Sequence, residues 1–146
     1  TDFGVVVIDG PAGLSEVTRA ILLMSDVALL PCGPSVLDLR AASEAIRVVR
    51  QAQRIRQGSP QALLVPNKLQ ARYRLSRELV ETAQSLEIPA TTGLRLRQAY
   101  ADAAGQGEVV WRLGARGQAA ANEIKELFHG QFGQGSQNTQ PSPAHR

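Results

Sequence analysis

The stretch VVVIDGPAG, residues 5–13, indicates the fold class that the rest of the chain follows. Four β-branched residues in a row predict a buried strand that is apolar on both faces, as in parallel sheets. Asp9 follows directly, at the start of a turn that contains glycine and proline. A carboxylate at the end of a buried strand is costly unless a cation lies beside it. The stretch therefore indicates either a cation and phosphate site or a tight connection to a helix.

The apolar pattern beyond this stretch alternates between short β-rich runs and longer helical periods. Further strands are predicted at 26–31, 62–66 and 88–92, with a weaker one at 109–111. Helices are predicted at 14–24, 36–57, 75–86, 95–104 and 115–128. This alternation predicts an α/β fold with a largely parallel sheet and flanking helices. Ligands in such sheets bind at the carboxyl ends of the strands, that is, just after residues 8, 31, 66 and 92.

Composition limits the function classes open to the chain. The 146 residues are about one domain's worth, and 43% are hydrophobic but only 4% aromatic, so the core must be aliphatic. No apolar run approaches the roughly 18–20 residues of a membrane span. The single cysteine, Cys32, cannot form an internal disulfide. The only histidines, His129 and His145, lie near the end of the sequence and form no metal-binding motif with cysteine.

Positive charge is concentrated in one part of the chain, although the net charge is only +3. Residues 40–77 contain nine of the sixteen basic residues and a single acid, Glu44. Such an excess is typical of a face that binds an anionic partner, but it also fits a solvated helix surface. On the helix predicted at 36–57, four arginines recur at spacings of seven, three and four and form one exposed stripe: Arg40, Arg47, Arg50 and Arg54.

Asn67 follows the third predicted strand, in the sequence VPNK. Its amide offers a hydrogen-bond donor and an acceptor together, which matches the edge of a purine base. An asparagine in an ordinary turn explains the same pattern, and the residues alone leave both interpretations open.

Three segments in this order resemble the ParA/MinD family of P-loop ATPases, and the ParA branch most. They cover most of residues 2–129: DFGVVVIDGPAGLSEVTRAILLMSDVALLPCGPSVLDLRAASEAI, VPNKLQARYRLSRELVETAQ and GLRLRQAYADAAGQGEVVW. The first is similar to that family's Walker-B strand and switch loop. The second is similar to the segment with the adenine-contacting asparagine, and the third to the family's R-L-x-E-A-x-x-x-G-x-x-V stretch.

The resemblance implies roles for individual residues. Asp9 matches the aspartate associated with Mg²⁺ through water, and Asn67 matches the residue that contacts adenine. The switch loop that senses the γ-phosphate is matched by Gly10, Pro11, Ala12 and Gly13. Arg72 and Arg95 match positions near which DNA-contacting residues are found. Three more arginines would add to that patch: Arg74, Arg77 and Arg97.

The same resemblance implies an ATPase that needs ATP and Mg²⁺, forms a homodimer and binds DNA without sequence preference. It also implies a stimulating partner of ParB type, a cytoplasmic and nucleoid-associated location, and plasmid or chromosome partition. Residues 130–146 are rich in Gly, Gln, Ser and Pro with almost no charge, so they are predicted to be a disordered polar tail. Such a tail is a poor membrane anchor.

One departure from the family is large, because the deviant Walker A motif K-G-G-x-x-K-[ST] does not occur in the sequence. In the family it lies upstream of the Walker-B strand. We therefore expect residues 1–129 to be the C-terminal part of a ParA-like domain, with roughly 60–90 residues preceding them. We expect this chain alone to be inactive as an ATPase. The alternative is a stand-alone, non-catalytic interaction module that pairs with an intact homologue.

Overall fold

The computed structural model describes residues 3–11, 13–85 and 88–132 and confirms an α/β fold with a parallel sheet and flanking helices. The strands are β1 (Val27–Cys32) and β2 (Gln61–Pro66). The α-helices are α1 (Glu16–Met24), α2 (Val36–Ile55), α3 (Arg74–Ser85), α4 (Gln98–Gly105) and α5 (Gln118–Phe132). Two short 3₁₀ segments, Val110–Arg112 and Gly114–Arg116, precede α5.

The two strands pair in parallel, from Val27 opposite Gln61 to Cys32 opposite Pro66. A third extended segment lies on the other side of β2, where Leu64 and Ala90 form a parallel bridge. The Leu64 N–H donates to the Pro89 carbonyl at 2.9 Å, and the Thr91 N–H donates to the Leu64 carbonyl at 2.9 Å. The predicted strand at 88–92 is therefore present as a single bridge, and β2 lies between two neighbours.

Serine caps explain where the first two helices begin. The Ser15 hydroxyl accepts the Thr18 N–H, which satisfies one of the free N–H groups at the start of α1. Ser35 does the same for α2, accepting the Asp38 N–H at 3.0 Å and donating its own hydroxyl to the Asp38 carboxylate at 2.7 Å. The α2 boundary predicted from sequence is confirmed at its first residue, Val36.

The main core lies between the sheet and the helices α1, α2 and α3. Leu64 on β2 and Leu79 on α3 are fully buried there. Ala42, Ile46 and Val49 of α2 pack in the same cluster, so one face of this helix is apolar and buried. Cys32, at the end of β1, is 2% exposed. Burial, and then the charge of Asp38, raise the pKa of its thiol.

Two predicted strands are wrong. Residues 5–8 are in no strand, and their side chains are exposed, with Val7 at 84% and Ile8 at 48%. The physical reason is that a strand is held by backbone partners, and no described residue pairs with this segment.

The VVW stretch at 109–111 was the second error. It lies in a 3₁₀ turn closed by the Arg112 N–H on the Val109 carbonyl at 2.9 Å. Val110 is buried beside α5, in a cluster with Ala120 and Ala121, whereas Trp111 is 58% exposed. The apolar residues thus pack against a helix, and not as a fifth strand.

Helix α5 continues to Phe132 and so includes the first three residues of the polar tail predicted at 130–146, whereas residues 133–146 lie outside the described residues. Within the described part of the chain, no helix combines the length and the apolar character that crossing a membrane requires.

Gly93 allows the chain to pass closely over the end of β2. Its φ is +81°, and an added Cβ would lie 3.0 Å from the Pro66 carbonyl oxygen and 2.9 Å from Leu69 Cδ1. A side chain here would be strained in its backbone and would also displace the neighbouring segment. The glycine therefore sets how residues 94–97 meet residues 66–69.

We predict that Gly93→Ala lowers the free energy of unfolding by about 3 kcal/mol, from the strain of positive φ plus overpacking. Gly107→Ala is the matched control, because Gly107 has φ +64° with open space around its Cα. The control should cost only about 1 kcal/mol. Urea unfolding of the natural protein that carries this chain measures both, and equal losses would contradict the close approach at Gly93.

Candidate functional site

The candidate site lies at the carboxyl ends of the strands, where three chain segments are hydrogen-bonded side by side. The Asn67 N–H donates to the Cys32 carbonyl at 2.8 Å, which continues the β1–β2 pairing by one residue. Leu69 and Arg95 then form a parallel bridge, in which the Leu69 N–H donates to Leu94 at 3.0 Å and the Leu96 N–H donates to Leu69 at 2.9 Å. The residues after β2 and the residues at 91–97 belong to separate sequence motifs, and they are thus neighbours in the structure.

Asn67 and Lys68 have unusual local geometry. The Asn67 side-chain oxygen accepts the N–H of Lys68 at 2.8 Å. Lys68 has a φ of +55°, a conformation that is uncommon and strained for a residue with a Cβ. Among the described residues, the Asn67 amide nitrogen has no hydrogen-bond partner. The turn geometry expected for an asparagine is present, and a donor remains available to a ligand.

Arg72 lies in the turn that connects β2 to α3. The Tyr73 N–H donates to the Gln70 carbonyl at 3.0 Å, which closes a four-residue turn with Arg72 at its third position. The buried Ser76 hydroxyl accepts the Gln70 N–H at 3.0 Å and holds the turn against the first turn of α3. The Arg72 side chain is exposed and makes no ion pair with the residues that the structure describes.

An open cavity of about 570 Å³ lies beside this turn. Its walls are mostly apolar, and its two cationic side chains are Lys68, which follows β2, and Arg74 of α3. The lining residues are Pro34, Lys68, Gln70, Tyr73, Arg74, Leu75 and Leu96. A mostly apolar cavity with a few polar and charged groups is of the kind that binds small ligands. It draws residues from each of the three segments at the strand ends.

Glu123 of α5 holds the segment 95–97 in place. Its Oε1 accepts two hydrogen bonds from the Arg97 guanidinium, at 2.6 and 2.9 Å. Its Oε2 accepts the Arg95 N–H at 3.2 Å and lies 3.2 Å from the Tyr100 hydroxyl. The Glu123 side chain is only 14% exposed, so this carboxylate is well shielded from water.

The charges of this network perturb each other. Burial alone would raise the pKa of the Glu123 carboxyl, but the hydrogen bonds from Arg97 and Arg95 outweigh burial and lower the pKa. The hydrogen bond to Glu123 raises the pKa of Arg97. Burial, and then the negative charge of Glu123, raise the pKa of Tyr100 to about 12. The network is thus charged at Glu123 and Arg97 and neutral at Tyr100 over the physiological range.

The five arginines predicted to contact DNA fall into two groups. Arg72, Arg77 and Arg95 have exposed side chains without ion pairs among the described residues. Arg74 is exposed and lies 3.0 Å from Glu78, a pair that solvent screens strongly. Arg97 is largely committed to Glu123. The geometry therefore leaves Arg72, Arg77 and Arg95 accessible to an anionic partner and gives Arg97 a positioning role.

A second open cavity, of about 510 Å³, adjoins Arg95 and Arg97 on the α5 side and includes Thr92, Asn122 and Glu126 in its lining. Its walls combine both signs of charge. An anion placed there would meet Glu123 and Glu126 as well as the arginines, so this cavity is a poorer phosphate site than the surface around Arg72.

Asp9 and the predicted switch loop lie apart from these contacts. Asp9 is exposed, and no hydrogen bond or ion pair joins it to another described residue. Gly10, Pro11 and Gly13 are in the connection to α1, where the Thr18 hydroxyl donates to the Gly13 carbonyl at 2.8 Å. Ala12 lies outside the described residues. No group of three or more potential metal ligands is found among the residues described.

Sequence reasoning missed Glu123 and Tyr100. Glu123 is one of two acids in α5, and nothing in its spacing distinguishes it from Glu126. Its importance comes from a contact with a residue 26 positions away in sequence. The sequence did contain one signal, the two arginines at 95 and 97. If one of them is half-buried, its charge requires an acidic partner nearby.

We predict that Glu123→Gln lowers the free energy of unfolding by about 2 kcal/mol at neutral pH, because Arg97 loses its charged partner. The lowered pKa of Glu123 means that this stabilisation is present above the ordinary glutamate pKa of about 4.3. It is lost as the pH falls through the native pKa. The difference between wild type and variant should therefore be smaller at acidic pH than at neutral pH.

Urea unfolding at both pH values measures this difference. Glu126→Gln, on an exposed position of the same helix, is the control and should change the free energy of unfolding by no more than about 0.5 kcal/mol. A Glu123→Gln effect of the same size at acidic pH would exclude the charged pair as its cause.

Comparison with known proteins gives one informative relative. No protein-family model matches the chain. The chain is 35% identical over 128 residues to the maintenance of carboxysome distribution protein A of Halothiobacillus neapolitanus (strain ATCC 23641 / c2). The match covers 85% of this chain and 58% of the relative, so the chain spans a little over half the length of the curated protein that it matches. This similarity supports the resemblance to the ParA-like ATPases that the three sequence motifs indicate.

Proposed function

We propose that the natural protein carrying this chain is a ParA-type positioning ATPase. It dimerises on ATP, binds DNA without sequence preference and releases DNA after hydrolysis stimulated by a ParB-type partner. The observation that carries this proposal is the pairing of residues 67–69 with 94–96. That pairing joins the candidate base-contacting segment to the candidate DNA-contacting segment, so that nucleotide and DNA binding share one rigid unit.

The relative supports the proposal, including the kind of cellular cargo that we propose. It is named for the distribution of carboxysomes. We therefore propose that this protein positions a large cargo inside the cell. Plasmids and chromosomal regions are examples of such cargo.

Residues of this chain fit part of a nucleotide site. Asn67 has an amide donor available for a purine edge, and Lys68 contributes charge to the adjoining cavity. Mg²⁺ is usually bound through one or two carboxylates together with phosphates and water. Asp9, a single exposed carboxylate at the start of the predicted switch loop, fits that limited role. The phosphate-binding glycine and lysine groups of a Walker A loop are not in this sequence.

When bound, ATP and Mg²⁺ would supply the phosphoryl group and the charge that controls the switch loop. The chain's own contribution is positional. Asn67 orients the base, Asp9 holds water near the cation, and Gly10 and Gly13 let the backbone adjust to the phosphate. The Glu123–Arg97 pair holds Arg95 at the surface.

DNA binding is tested with the double variant Arg72→Gln/Arg95→Gln in the natural protein. Each lost phosphate contact lowers the slope of log affinity against log salt by about 0.9. We expect the slope to fall by about 2 and the affinity for random-sequence duplex DNA to fall in proportion, measured by fluorescence anisotropy with ATP present.

The charge-matched control is Arg112→Gln/Arg116→Gln, which removes two exposed arginines from the 3₁₀ segments. The control should retain the wild-type slope. If both double variants bind as wild type does, Arg72 and Arg95 are not phosphate contacts.

The role of Asp9 is tested by ATP hydrolysis. Asp9→Ala in the natural protein should lower kcat by at least about 100-fold, because the charge that orders the cation is lost in the transition state. Asp102→Ala, a carboxylate that contacts only Gln98 among the described side chains, is the control. Hydrolysis at the wild-type rate by Asp9→Ala would remove Asp9 from the site.

A second candidate function is a non-catalytic interaction module that pairs with an intact homologue. The exposed apolar residues Val5, Val6, Val7 and Ile8 favour it, because an extended apolar segment is suited to joining the sheet of another chain. This candidate predicts that the natural protein neither binds nor hydrolyses ATP, which the same assay measures.

A further inference from the structure

Helix α2 presents a continuous arginine face to solvent. This face consists of four exposed residues, Arg40, Arg47, Arg50 and Arg54. With 3.6 residues per turn, they fall within about 80° of the helix circumference. The opposite side of the same helix is the buried one and carries Ala42, Ile46, Val48, Val49 and Ala52. The arginine face is therefore fixed in direction by the core beneath it.

Little negative charge neutralises Arg40, Arg47 and Arg54 of this face. The nearest acid on the helix is Glu44, whose carboxylate lies 4.0 Å from Arg47, with both side chains more than half exposed at 60% and 73%. An exposed pair at this distance contributes almost nothing. Arg40 and Arg54 have neither an ion pair nor a hydrogen bond to any residue in the described ranges. The charge of Arg40, Arg47 and Arg54 is thus available to a partner.

Helix α1 adds a further cation. The Arg19 guanidinium donates to the Gln51 side-chain oxygen at 2.7 Å, and Gln51 lies between Arg47 and Arg54 on the exposed side of α2. This contact fixes Arg19 at the border of the arginine face. Positive charge is therefore contributed by two helices that pack together, and not by one helix alone.

The arginine face also lies on the same side of the sheet as α3. Ala42, Ile46 and Val49 of α2 and Leu79 of α3 belong to one buried cluster with Leu64 of β2. The outer surfaces of α2 and α3 consequently belong to the same layer of the fold. Arg74 and Arg77 are exposed on α3, close in the chain to Arg72.

We infer that the α2 arginine face is a second contact surface for the phosphate backbone of duplex DNA, beyond the arginines at 72–97. The inference rests on the proposed DNA-binding function. Arg40 and Arg54 are about 21 Å apart along the helix axis, at 1.5 Å per residue. This length matches about six nucleotides of one strand at 3.4 Å each.

The chemistry of the face favours phosphate over a protein partner. Protein interfaces have apolar and aromatic centres, and the arginine that is enriched there lies beside such residues. The centre of this face contains arginine and glutamine but no aromatic residue, and its large exposed apolar residues, Val36, Leu37 and Ile55, lie at its two ends. Guanidinium groups bind phosphate oxygens in pairs and lose less hydration than ammonium groups do.

The test is the triple variant Arg40→Gln/Arg47→Gln/Arg54→Gln in the natural protein, with random-sequence duplex DNA as the probe. Anisotropy titrations with ATP at several salt concentrations give the affinity and its salt slope. We expect the slope to fall by about 2 to 3 and the affinity to fall at least about tenfold. The three positions are exposed, so urea unfolding should match wild type within about 0.5 kcal/mol.

The control is Arg112→Gln/Arg116→Gln/Lys125→Gln, which changes the net charge equally at other exposed positions. The inference is supported if only the α2 variant loses slope. An equal loss in the control would show a general charge effect and would overturn it. A wild-type slope in the α2 variant would overturn the inference. In that case, a lower slope in Arg72→Gln/Arg95→Gln would still support the proposed DNA-binding function. Absence of DNA binding by the unaltered protein would overturn both.

Discussion

The parallel pairing of β2 with its neighbours is the constraint on which the rest of the structure depends. Leu64 is fully buried and exchanges backbone hydrogen bonds with residues 89–91 on the side opposite β1. The pairing continues past the end of the strand, through Asn67 to the Cys32 carbonyl and through Leu69 to residues 94–96. Asn67 and Arg95 are placed directly by this ladder, and Arg72 lies in the turn that follows it. A change in register of one residue would move all of them together.

Much of the fold was predictable because local signals agree with tertiary packing. The serine before α2, its apolar spacing and the glycine that follows it all indicate one helix, and the core uses that same face. Residues 5–8 and 109–111 were not predictable in this way. Their β-branched composition indicates a strand, but a strand requires a partner elsewhere in the chain. Val110 instead packs against Ala120 and Ala121 of α5, a contact that composition does not encode.

The candidate site was predictable in its residue types and less so in its contacts. Motif order placed Asn67, Arg72 and Arg95 at strand ends, and the structure brings their segments together. The division of labour between Arg95 and Arg97 was not foreseen, since the two residues are equivalent by sequence. Glu123 separates them, because a shielded carboxylate binds the guanidinium that reaches it and leaves the other at the surface. Arg97 thus serves to hold Arg95 at the surface.

The burial of Cys32 makes its thiol an internal probe of local opening of the fold. The thiol is 2% exposed at the junction of β1 with the candidate site, and burial raises its pKa, so the reactive thiolate is scarce in the folded state. A thiol reagent can reach the sulfur only when the structure around the end of β1 opens. The rate of alkylation of this residue therefore reports how often the core opens. Any ligand that joins the segments at the strand ends would slow it.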